Sequence, residues 1–288
     1  MTRFITLIFT LFFSSFSFST PQVWQASKEG VTFTIMGSVH AGRPDFYPLP
    51  EIIVTRFNNA DALIVEADII NDTNVRFPKS KPTRTHLNAS QKQVLANVAA
   101  DAGLPAENLL NLPPWQVAIA LQMQQVNSMG LNQLLGVDLY FLSQTTAKNK
   151  PVIALETVQQ QIDLLAKAEN DGLELLTDTL KYWELSKDFM PCLIDSWLAG
   201  DEEKLTTIVD DMGTASDFEH KLIAERNHNW LKAMGDKSRF TEENYVMVVG
   251  ALHLYGKQGL VPLLRNAGFD VKPLTQGKRS TCTLPALP

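Results

Sequence analysis

The chain has 288 residues, 45% hydrophobic and 19% charged, with a formal net charge of −6. That length and apolar content support one large core or two smaller ones and exclude a compositionally disordered chain. The acidic balance, with no Lys/Arg cluster against it, excludes a general nucleic-acid surface.

The first residues read as an export signal. Arg3 supplies the positive start, Phe4 to Phe13 the apolar segment, and Ser17-Phe-Ser19 a small-x-small cleavage site. An apolar core of about ten residues falls short of the roughly 20 that span a bilayer. An uncleaved anchor is the alternative reading. With no cysteine near the cleavage site, lipoprotein anchoring is not expected. The expectation is therefore a signal peptide over 1–19 and one α/β domain over 20–288, secreted or periplasmic, with no stable membrane insertion. Two cysteines are present, Cys192 and Cys282. In an oxidising compartment they either pair, tying the tail to the helical middle, or remain thiols; the sequence leaves both open.

Trp24 and Val31 to Met36 open the predicted sheet, and Gly37 ends that strand. Ala41 to Pro50 is dense in turn formers and reads as a loop. A helix over 50–59 and a strand over Ala62 to Val65 follow, the strand ending at Glu66. Asn71 to Asn88 is polar loop. Ser90-Gln-Lys-Gln93 resembles a capping box, with Val94, Leu95 and Val98 giving the helix behind it an apolar face. Pro113-Pro-Trp115 starts a mostly buried helix containing Val117, Leu121 and Met123. Gly136-Val-Asp138 opens another, where Asp138 serves as a first-turn charge.

Val152 to Leu155 is a further strand, again ending in an acid, Glu156. Helical spacing returns over 158–167, 173–185 and 189–198. Residues 201–211 form an acidic helix that reads as a solvated face, and 217–234 carry Glu225-Arg-Asn-His228. Tyr245 to Gly250 is the last long strand, followed by a helix over 259–267, Gly268 as its C-cap, and a strand over 269–272. The fold class is α/β. A central mixed, largely parallel sheet is expected from two pseudo-repeated strand–GxxH–helix–strand units, with a helical insertion over about 80–235.

Chemistry is expected just past the strand ends. Gly37-Ser-Val-His40 and Gly250-Ala-Leu-His253 repeat one pattern, and Glu66 and Glu156 repeat another. Parallel strands place their carboxyl ends on one sheet edge, where open α/β folds bind ligands. Two imidazoles with one or two carboxylates suit zinc, manganese or non-haem iron. The bland reading stands beside it: a histidine after a strand often only holds a loop, and a strand-end acid often caps a helix. HExxH, GxSxG, Walker A and GxGxxG motifs are absent. His220 and His228 follow no glycine turn and read as surface or helix-packing residues.

The 37–50 stretch, Val65-Glu66, Gly136-Val-Asp138, Leu155-Glu-Thr157, Glu225-Arg-Asn227 and Gly250-Ala-Leu-His253 resemble the TraB/GumN family, in its order and over nearly the whole mature chain. That family is similar to the Tiki metalloproteases, and more remotely to erythromycin esterases and haem-binding ChaN proteins. The resemblance implies a divalent metal (zinc, manganese or cobalt) on His40, Glu66 and His253, and peptide-bond hydrolysis. Glu66, Glu156 and Arg226 are the implied catalytic residues, and Gly37, Asp138, Glu225, Asn227 and Gly250 the supporting ones. Leu252 departs from the Gly or Ala that many members have before the second histidine. Glu66 is either a metal ligand or a general base. Arg226 either neutralises an oxyanion or substrate carboxylate, or pairs with Glu66 or Glu156 and holds a helix to the sheet. The rival reading is a noncatalytic exported protein binding haem or another ligand, with Tyr47, Tyr140 and Tyr255 near the expected rim. A scaffold without catalysis is a third. The substrate, peptide or small molecule, and the oligomeric state are not legible.

Overall fold

A computed structural model describes residues 20–212, 217–241 and 243–286. The expected signal peptide lies outside the described residues. The first part of the chain forms β1 (Val23–Lys28), β2 (Val31–Ser38), α1 (Glu51–Asn59) and β3 (Ala62–Val65). A long helical stretch follows: α2 (Ala89–Asp101), α3 (Ala106–Leu109), α4 (Pro114–Ser128) and α5 (Val137–Lys148). After β4 (Val152–Ala154) come α6 (Val158–Ala166), α7 (Glu169–Lys181), α8 (Trp183–Ala199), α9 (Glu202–Met212), α10 (Asp217–His220) and α11 (Arg226–Met234). The chain closes with β5 (Asn244–Gly250), α12 (Leu260–Asn266) and β6 (Asp270–Pro273).

The six strands form one sheet in the order β4-β3-β5-β2-β1-β6. β5 is parallel to both β2 and β3, and β3 is parallel to β4. β1 is antiparallel to β2 and to β6. The run Tyr245 to Val249 is buried at every residue, as a central strand covered on both faces requires. The two strand–helix–strand units interleave rather than stand side by side. β5 is inserted between β2 and β3, and the crossover from β5 to β6 skips β2 and β1. The pseudo-repeat is thus a likeness in element order, not a duplicated half-sheet.

The main core gathers around this sheet, with Trp24, Phe33, Phe57, Trp197 and Trp230 among its members. A second cluster, including Leu95, Val117, Leu121, Leu176 and Trp183, holds the helical stretch. Several local expectations move. The capping box belongs to Asn88 and Gln91, not Ser90 and Gln93, because Asn88 Oδ1 accepts the Gln91 N–H and Gln91 reaches back to the Asn88 N–H. Val94 and Met123 face solvent, while Leu95, Val98 and Leu121 carry the buried stripes. Asp201 is buried rather than solvated: it accepts from the Ser280 N–H at 2.9 Å and so holds the C-terminal tail. Cys192 and Cys282 are disulfide-bonded, with Cα atoms 5.4 Å apart, which fixes that tail to α8. No helix among the described residues is long and apolar enough to cross a membrane.

Candidate functional site

The carboxyl ends of β2, β5 and β3 deliver the site. β2 and β5 pair so that Gly37 faces Val249 and Ser38 faces Gly250. Both motif glycines are there because a side chain would not fit. A Cβ on Gly37 would lie 2.7 Å from Ala251 Cα. On Gly250 it would lie 2.9 Å from Glu66 Oε1, 3.4 Å from His253 Cδ2 and 3.7 Å from His40 Nε2. The bare Cα of Gly250 is therefore the floor on which His40, Glu66 and His253 converge. Trp197 of α8 donates its indole N–H to Gly37 O at 2.9 Å and braces the first motif from behind.

Each imidazole is held by its Nδ1. α5 docks on the first motif through Val137 N–H to Val39 O, at 3.0 Å, which brings Asp138 Oδ2 to 3.2 Å from His40 Nδ1. Gly136 permits this, since a Cβ there would strike His40 O. His253 Nδ1 lies 2.7 Å from Asn227 Oδ1. The Asn227 amide nitrogen donates to His253 O and Gln258 O, so its oxygen must accept, and the His253 proton sits on Nδ1. In both rings Nε2 is left for the site. Such outer partners are what orient metal-ligating histidines.

A π-helical turn over Lys221–Glu225 precedes α11, a distortion frequent at functional sites. It sets Arg226 across the cluster. Arg226 Nη2 donates to Glu66 Oε2 at 2.5 Å and contacts Glu156 Oε1 at 2.7 Å, while Nε donates to Glu156 Oε1 at 2.8 Å. Nη1 lies 3.0 Å from His253 Nε2 and 3.1 Å from Leu222 O. Trp230, one helical turn on, packs its ring under the guanidinium at 4.9 Å and against the His253 ring at 4.4 Å. Glu66 Oε1 also accepts the Gly250 N–H at 2.6 Å, and Oε2 accepts from Gln161 Nε2 at 3.3 Å.

Burial and these charges split the ionisations. The hydrogen bond to Asp138 raises His40 to about 9, although its side chain is 68% exposed and solvent screens that pair. Burial lowers His253 to about 4. Burial opposes ionisation of Glu66, yet the charges of His253, Arg226 and His40 and the Gly250 N–H outweigh it and hold the carboxyl at about 2. At neutral pH Arg226 is the main cation in that balance, because His253 is neutral above its own lowered value. Glu156 goes the other way, raised by burial despite Arg226.

Beside this cluster opens a cleft of about 340 Å³, lined in part by His40, Glu66, Asp138 and Gln161. Two buried oxygens at its wall, Ser38 Oγ and Asp138 Oδ1, have no hydrogen-bond partner among the described residues.

A family model for TraB/PrgY/gumN proteins matches residues 22–273 of this chain. The chain belongs to the TraB/PrgY/gumN family. Among relatives, it is 33% identical over 236 residues to the uncharacterized protein YbaP of Escherichia coli K12, covering 81% of this chain and 88% of that one. It is also 33% identical over 234 residues to the uncharacterized protein YbaP of Shigella flexneri, covering 80% and 87%. No solved structure matches.

In this TraB-family chain the structure gathers His40, Glu66, Asp138, Glu156, Arg226, Asn227, Gly250 and His253 around one strand-end floor. Gly37 contributes at one remove, as a close-packing position within β2, against Ala251. Glu225 does not join them; it stands exposed. Tyr47 and Tyr140 pack together with tilted rings, the Tyr47 hydroxyl donating to Leu135 O, and Tyr255 is buried against Trp24 rather than at the rim. His228 is exposed and meets Gln258. Sequence reasoning passed over Trp230 and Gln161. Trp230 stands four residues after Arg226, the one spacing that could have drawn attention to it. As donors, two Nε2 atoms and a carboxylate fit a divalent metal in kind. Among the described residues no three His, Cys, Asp or Glu side chains already form a cation cage. The guanidinium of Arg226 stands against the atoms that would bind one.

Proposed function

We propose that the chain is an exported metal-dependent hydrolase acting on peptide bonds, with His40, Glu66 and His253 holding one divalent metal. A single observation carries this reading. Both histidines are tethered through Nδ1 to a fixed side-chain oxygen, so both Nε2 atoms face the floor at Gly250 beside Glu66. A histidine that merely holds a loop has no need of a partner that turns its Nε2 toward a carboxylate. Export is supported by the Cys192–Cys282 disulfide, which persists in oxidising compartments.

A divalent metal supplies Lewis-acid activation of a carbonyl and of water. The chain's own residues supply the rest. Arg226, released from His253 Nε2, offers its N–H groups to the negative charge that develops on the scissile carbonyl oxygen. Glu156, raised where Glu66 is lowered, is the carboxyl of the pair suited to carry a proton to the leaving amine. Trp230 packs on Arg226 and the His253 ring and shields that side of the cluster.

The noncatalytic reading has one observation in its favour: Arg226 already satisfies Glu66, Glu156 and His253 at once. The two are separated by stripping metal with chelator, restoring zinc, manganese and cobalt in turn, and assaying peptide cleavage with elemental analysis alongside. The proposal expects one bound metal per chain, cleavage restored by at least one of them, and both lost in His40→Ala and His253→Ala. No metal bound, no cleavage and no effect of either substitution would leave the noncatalytic reading.

A further inference from the structure

The cleft beside Glu66 is polar on one side only. Its other lining is aliphatic: Leu139 and Leu142 from α5 and Val248 from β5. Ile69, after β3, and Leu134, just before α5, also line it, yet they are 51% and 77% exposed. Large aliphatic side chains left in water around a cleft with an aliphatic wall mark a surface that gains by covering an apolar group.

Gln161 adds a directional group to the same cleft. A carboxylate only accepts, so the Gln161 amide nitrogen is the end that faces Glu66 Oε2. Its Oε1 makes no hydrogen bond among the described residues and is an acceptor for a ligand N–H. An acceptor beside an aliphatic wall matches an amino-acid residue within a peptide, which has a backbone N–H next to its side chain. A fatty acyl chain brings no such donor, and a cleft of about 340 Å³ is at the small end for ligand sites. The carboxylates of Glu66 and Asp138 on the polar side disfavour an acidic side chain.

We propose that this cleft is the specificity subsite for a peptide bearing a Leu, Ile, Val or Met side chain. The side chain packs on Ile69, Leu134, Leu142 and Val248, and Gln161 Oε1 accepts the N–H of that same residue. The inference rests on the reading of the adjoining cluster as a peptidase, and binding is measured apart from turnover so that the two fail separately.

The probes are capped pentapeptides, acetyl-Gly-Gly-Xaa-Gly-Gly-amide, titrated into metal-free, methyl-labelled full chain and followed by NMR. With Xaa as Leu, the methyls of Ile69, Leu134 and Leu142 shift, and affinity exceeds that for Xaa as Asp by roughly tenfold. Leu134→Ser, at a position exposed enough to leave folding alone, lowers the Leu-peptide affinity by roughly fivefold or more and leaves the Asp peptide unchanged. N-methylation of the Leu residue weakens binding to the native chain and not to Gln161→Ala. Equal affinity for Leu and Asp peptides, no binding of either, an unaffected Leu134→Ser, or tighter binding of octanoylglycine amide than of the Leu peptide overturns the subsite. Absence of cleavage with the Leu preference intact overturns only the peptidase reading.

Discussion

Asn227 Oδ1 accepts the Nδ1 proton of His253 at 2.7 Å, and so decides which ring nitrogen faces the strand-end cluster. Asn227 is fully buried, and its amide nitrogen is committed to two backbone carbonyls. Asn227→Ala therefore strands several buried polar groups at once and is expected to cost about 3 kcal/mol, read as a shift in urea midpoint with the slope unchanged. A loss below about 0.5 kcal/mol, the range of neutral surface changes, would mean the amide does not hold the ring.

Arg226 is the hinge of the electrostatics. Arg226→Met leaves Glu66 and Glu156 facing each other with no cation between them, and breaking such a buried set is expected to cost roughly 3–5 kcal/mol at pH 7.5. Part of that loss should return in Arg226→Met/Glu156→Gln, which removes the carboxylate repulsion, and part on lowering the pH toward 5. A double-mutant cycle reads the coupling directly; strict additivity of the two substitutions would contradict the contact network.

The two histidines should titrate in opposite directions in the metal-free chain. His253 falls from 6.5 to about 4, so the unfolded state binds more protons between those values. Its contribution to stability is complete above 6.5 and is lost as pH falls through about 4. Glu66, lowered from 4.5 to about 2, contributes in the same sense at lower pH. His40, raised above 6.5 by Asp138, contributes below 6.5 and loses its share as pH rises toward 9, the size reduced by its exposure to solvent. Nitrogen-15 NMR of the rings checks this: His253 stays neutral and Nδ1-protonated at pH 5.5, while His40 is still protonated at pH 7. A His253 midpoint near 6.5 would contradict its burial.

The disulfide closes a span of 90 residues between Cys192 and Cys282. Loops of that length confer roughly 4 kcal/mol when closed. Cys192→Ser/Cys282→Ser should lower stability by about that amount and expose the tail beyond Lys278 to proteolysis. Resistance of the tail in the reduced variant would show that Asp201 and Lys204, which bond to Ser280, hold it unaided.

Much of the sheet was legible because its strands are short apolar runs that stop at glycine or an acid. β2, β3 and β5 fall where Val31 to Met36, Ala62 to Val65 and Tyr245 to Gly250 place them. Their spatial order was not legible, since nothing in an apolar run says that β5 slides between β2 and β3. The register of the α2 cap was misplaced by two residues because Asn88 and Ser90 are both competent N-caps, and the partner at Gln91 decides between them. In the site, the repeated glycine–histidine spacing made His40 and His253 visible as a pair. The role of Arg226 was open between catalysis and pairing because it depends on the π-helical turn before α11, which has no signature in residue type. Trp230 and Gln161 escaped for a similar reason: an indole under a guanidinium and an amide on a carboxylate are made by tertiary contact alone.

The central claim is that the Nε2 atoms of His40 and His253 and the carboxylate of Glu66 bind one cation once Arg226 yields its place. A crystal structure of the zinc-loaded chain, with anomalous data at the zinc edge, tests it most directly. The account predicts a single peak above Gly250, about 2.0–2.1 Å from Nε2 of both His40 and His253, with the guanidinium drawn off His253. A map with no peak there, Arg226 still lying against His253 Nε2, would contradict it.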